Sequence, residues 1–140
     1  MPTAANLANM RAFFGRIDRP PGVRLMFEPR GPAWTGAVLR PLVRDLGLIH
    51  VVDPFVSRTM TADPTYFRLH GITGSRHVYS DDELRRLAAM VPATGDSYVM
   101  FNNIPRVDDA RRFEGLVGLA AGVEPSTLRP VTRARRSTRR

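Results

Sequence analysis

Cysteine is absent from the chain, and with it disulfides, thiolate zinc sites and cysteine nucleophiles. Lysine is absent as well, because all 21 basic residues are arginine. That uniformity points to codon usage in a GC-rich genome, since no site chemistry would require arginine everywhere. No apolar run approaches the ~20 residues that cross a bilayer, and the first residues lack a charged-then-apolar signal pattern. The cytoplasm is the expected address, with no membrane partner. The Gly-x-Ser-x-Gly, phosphate-loop and dinucleotide glycine patterns are also missing, so the residues name no cofactor.

What is present suits one globular domain: 140 residues, of which 43% are apolar. The formal charge of +8 is uneven. Six arginines, Arg129, Arg133, Arg135, Arg136, Arg139 and Arg140, fall in the last twelve positions, and without them the charge drops to +2. Residues 1–124 are therefore read as the folded domain and 125–140 as an arginine-rich tail, expected to be disordered. Such a tail is also able to bind nucleic-acid phosphates by counterion release.

Hydropathy along the chain predicts a helix over Leu7–Ile17 and a strand over Val23–Arg30, stopped by Pro29. A helix follows over Thr35–Asp45, with Val38, Leu39, Leu42, Val43 and Leu46 on one side and Gly47 at its exit. Leu48–Val52 is almost continuously apolar, the mark of a strand buried on both faces of a parallel sheet. A further strand is expected over Tyr66–Gly71. Ser80 and Glu83 form a capping box that opens a helix carrying Leu84, Leu87, Ala88 and Val91. The last strand is Ser97–Asn103, and the last helix starts near Asp108. No short hairpin turn joins any two strands. The expected fold is α/β, with four parallel strands and outer helices making the C-terminal half of a (β/α)8-type barrel.

Each strand is apolar until its C-terminal end and then turns polar: Glu28 and Arg30, Asp53, Arg68 and His70, Asn102 and Asn103. In a barrel these ends converge on one mouth, where active sites lie. Alternation places Glu28 with Arg30, and Arg68 with His70, on shared faces. Arg30 and Arg68 suit a phosphate or carboxylate, His70 suits general acid–base work, and Glu28 and Asp53 would orient them. Glu28, Asp53 and His70 together form a minority metal reading without the usual ligand spacing. The same charges also suit a plain ion-pair network closing the mouth. Trp34 and Tyr79 lie beyond strand ends and either wall a pocket or pack under their loops. Only one of Asn102 and Asn103 can point inward.

These signatures resemble the family known as domain of unknown function 72, or YecE-like. The residues that carry the likeness are Phe27-Glu28-Pro29-Arg30 with Trp34, then Asp53, then Tyr66-Phe67-Arg68-Leu69-His70-Gly71. Tyr79, Asp82-Glu83-Leu84, Tyr98-Val99-Met100-Phe101-Asn102-Asn103 and Asp109-Ala110 follow in order. The resemblance implies a TIM-like barrel of about 250 residues in complete members and no established activity. It also implies that the family's N-terminal half, with a glycine- and tryptophan-containing opening strand, has no counterpart here.

A half barrel exposes strand edges and an apolar inner face. The alternatives are a second copy of the same chain, a separately encoded N-terminal half, or a truncated reading frame that folds poorly. Three functions follow: an enzyme or its remnant with its site at the mouth, a nucleic-acid-associated protein acting through its tail, or an interaction half-domain.

Overall fold

A computed structural model describes residues 1–121, so the arginine-rich segment 125–140 lies outside the described residues. Eight elements follow in order: α1 (Ala4–Arg16), β1 (Leu25–Phe27), α2 (Gly36–Leu46), β2 (Leu48–Val52), β3 (Thr65–Leu69), α3 (Asp81–Met90), β4 (Ser97–Phe101) and α4 (Arg106–Ala121). The four strands form one sheet in the order β1-β2-β3-β4, and every pairing is parallel. A parallel neighbour must be reached by a crossover, and α2 and α3 provide two of the three. A twelve-residue loop provides the one between β2 and β3. This is the expected α/β fold, consistent with half of a TIM-like barrel.

Local signals explain most boundaries. Gly47 ends α2 in the left-handed conformation at φ 57°, which an L side chain rarely adopts. The Ser80 hydroxyl accepts from the Glu83 N–H at 3.3 Å, and the Glu83 carboxylate accepts from the Ser80 N–H at 2.8 Å. That backbone bond holds the Glu83 carboxyl below its usual range. β1 is shorter than the expected Val23–Arg30, because Pro29 has no N–H to donate and the chain turns off the sheet after Phe27.

The two faces of the sheet differ sharply. Val52, Phe67 and Leu69 point to the helices and join Leu84, Leu87 and Phe113 in the core. Register carries this parity across the sheet, since Val52 pairs with Phe67 and Phe67 with Val99. The opposite parity gives a face of Met26, Ile49, Val51, Tyr66, Arg68, Tyr98 and Met100. Met26, Tyr98 and Met100 there are each about half exposed, at 52%, 49% and 48%. No described helix covers that face, and only its small central residues, Ile49 and Val51, are buried.

Candidate functional site

The open-face parity runs on past the strand ends, so Glu28, Asp53, Arg68 and His70 come together at the C-terminal edge of the sheet. Glu28 is the hub. One carboxylate oxygen accepts from Arg68 Nη1 at 2.5 Å, and the other accepts from Arg30 Nη2 at 2.9 Å. His70 Nε2 lies 3.3 Å from that second oxygen and 3.2 Å from Arg30 Nη2. The imidazole nitrogen thus sits between an acceptor and a donor. In the tautomer that carries its hydrogen on Nε2 it donates to Glu28; in the other it accepts from Arg30.

Asp53 acts mainly on the backbone. Its Oδ1 accepts the Phe55 N–H at 3.1 Å, and its Oδ2 accepts the His70 N–H at 3.0 Å. It ties the end of β2 to the end of β3 and fixes where the His70 ring begins. Among the described residues, no group of three or more acidic, histidine or cysteine side chains is placed to hold a metal. Glu28 and Asp53 show why: their oxygens already face arginines and backbone amides.

A cavity of about 760 Å³ opens at these strand ends. Glu28, Arg30, Asp53 and His70 line it, and Trp34, Leu39 and Met60 form apolar walls. Trp34 is held by an edge-to-face contact with Phe27, with ring centroids 5.2 Å apart. Trp34 therefore walls a pocket. Tyr79 does not: it is fully buried in the core, and its hydroxyl accepts the Gly71 N–H at 3.0 Å. Burial, more than any charge nearby, pushes its phenol up to about 12. Its surroundings are apolar because the loop after Gly71 folds it inward against Phe55 and Phe101.

The two asparagines separate as alternation requires. Asn102 stays exposed on the open side, and its backbone N–H donates to Leu69 O at 2.8 Å. Asn103 turns to the helices, is buried, and donates to His77 O at 2.8 Å and to Asp109 at 2.6 Å. Neither lines the cavity, and Asn103 acts as a structural clamp. Arg68 is withdrawn too; it holds Glu28 from the open sheet face, outside the cavity lining.

Two lining residues carry no signal in the strand-end pattern. His50 sits inside an apolar strand on the helix side, buried, with Nδ1 accepting the Met60 N–H at 3.1 Å. That bond leaves the proton on Nε2, and burial lowers the imidazole below its ordinary range. Its backbone bonds Thr61 and Thr59 instead of β3, so the loop completes the sheet there. Arg58 lies in that loop, is exposed, lines the cavity, and makes no ion pair among the described residues. A histidine interrupting an apolar strand was the one visible clue; Arg58 had none.

The fold and this edge define a class: a parallel β/α sheet, consistent with half of a TIM-like barrel, with polar residues gathered at the strand C-termini. The chain belongs to the family described as protein of unknown function DUF72, whose pattern matches residues 1–134. No curated protein and no solved structure matches the chain. Among the described residues, no helix is long and apolar enough to cross a membrane.

Proposed function

We propose that residues 1–121 form the C-terminal half of a barrel whose mouth binds a small anion-bearing molecule, a carboxylate or phosphate. One observation carries this reading: the two acids in the cavity are committed, while donors remain open. Both Glu28 oxygens accept from arginines, and both Asp53 oxygens accept from backbone amides. Arg30 engages its neighbours through Nη2 alone, and its side chain is 68% exposed. Arg58 adds a second cation on the rim. Guanidinium groups bind carboxylate and phosphate through paired N–H donors, which suits this unused capacity. His70 is the proton carrier of the site, since its Nε2 faces both Glu28 and Arg30. Glu28 and Asp53 position the cations and the ring, and Trp34 walls the apolar side.

Titration with inorganic phosphate and with acetate, followed by amide chemical shifts, tests the reading. Shifts should gather at Arg30, Arg58, His70 and Gly71 and vanish in the Arg30→Ala/Arg58→Ala double variant. Shifts scattered over the surface arginines, or unchanged by the double substitution, would overturn it.

A further inference from the structure

The sheet is open on one face and at both edges among the described residues, and the helices constrain what closes it. We propose that the occupant is a partner segment of four parallel strands and three crossover helices, whose chain begins and ends on a strand. The inference rests on the half-barrel reading above, but not on anion binding.

Strand number comes first. Parallel β/α sheets with helices on one side close at eight strands, where inward side chains just fill the interior. Four strands are present. The inward side chains Met26, Ile49, Val51, Tyr66, Tyr98 and Met100 carry no charge, so the facing surface must be apolar. Charge enters only at the mouth, with Glu28 and Arg68.

Helix count then separates the candidate partners. A closed barrel of this kind covers each groove between neighbouring strands with one helix. Here α1 precedes β1, packs only on α2, and has no buried residue; its Phe13 is 59% exposed. At the far side α4 follows β4 and packs on α3 and β4. Each open edge therefore already brings its own helix. A second copy of the chain would crowd two helices, α4 of one and α1 of the other, over each closing seam. A partner that starts and stops on strands leaves one helix per seam. Its last strand would pair with β1 under α1, and its first with β4 under α4. All connections then keep the right-handed sense that parallel crossovers require. Such a partner also brings four strand ends to the mouth, facing Glu28, Arg30 and His70.

The test mixes the full chain with a separate polypeptide made of the first four strands and three helices of a complete barrel of this family. No anion is added, so failure of the anion reading does not affect the outcome. Light scattering should give a one-to-one complex. Amide exchange in Leu25–Phe27 and Ser97–Phe101 should slow by about tenfold or more as both edges pair. Met26→Asp, on the exposed inward face opposite Ile49, should abolish the complex while leaving the circular dichroism of the chain alone unchanged. A two-fold dimer of the chain alone with both edges protected would overturn the proposal in favour of a second copy. Mixing without association would also overturn it, as would unchanged edge exchange. If the chain is unstructured alone, gain of structure at one-to-one stoichiometry supports the proposal, and no gain overturns it.

Discussion

Asp53→Asn separates hydrogen bonding from shape at the junction of β2 and β3. Asparagine has the same outline but one acceptor oxygen instead of two. Only one of the Phe55 and His70 amides can then be accepted, at 3.1 Å or 3.0 Å in the parent, and the other meets an NH2 group. The Asp53 side chain is 12% exposed, so water replaces the lost acceptor poorly. A hydrogen bond to a charged group contributes about 1.5–3 kcal/mol, and an unpaired buried donor costs about 1–3 kcal/mol. Asp53→Asn should therefore destabilise the fold by about 2–3 kcal/mol, and Asp53→Ala by about 3–4 kcal/mol with both acceptors gone. Urea unfolding at pH 7 measures both, and amide exchange should show one of the Phe55 and His70 N–H groups deprotected in the Asn variant and both in the Ala variant. An Asn variant as stable as the parent would refute the argument, because it would mean that Asp53 merely fills space.

Three further outcomes follow from the same geometry. The lowered His50 imidazole takes up its proton more readily when unfolded, so its share of stability is present above its ordinary value of 6.5 and is lost as pH falls below it. His50→Asn keeps an acceptor for the Met60 N–H, so the decline in urea midpoint between pH 7.5 and 5.5 should become shallower; an unchanged slope would count against a buried neutral His50. Tyr79→Phe leaves the Gly71 N–H without its acceptor and should cost about 1–2 kcal/mol, read by the same unfolding curve. A loss under a few tenths would show that water replaces the hydroxyl. Gly71→Ala should cost at least about 2 kcal/mol, because φ is +90° and the new Cβ would collide with Gly74 O. Melting within a degree of the parent would show that the loop simply moves.

Reading the sequence located elements better than it located side chains. The capping box, the glycine exit of α2 and the apolar run of β2 are local signals, each decided within a few residues. They reappear in place. Glu28, Arg30, Asp53, Arg68 and His70 meet because strand-end position plus alternation is also a short-range rule. Tyr79 escaped that rule, since its burial depends on how Gly71 turns an eleven-residue loop back onto the core. Asn103 differs from Asn102 by one step of alternation, and its partners, His77 and Asp109, lie 26 and 6 residues away. Arg58 reaches the cavity through a loop with no periodicity at all. Long-range loop paths, not strand patterns, hide the rest of the site.

β4 carries one more consequence, for solubility. Its sequence, Ser-Tyr-Val-Met-Phe, is uncharged, free of proline and rich in strand-forming side chains, and two of its five residues are about half exposed. Short windows of that kind stack into cross-β fibrils when an edge is left bare. Asp96 sits immediately before the strand as a single charged gatekeeper, and two uncharged asparagines follow it. A cover over this strand would thus also block that stacking, and the yield from cells should rise when one is supplied.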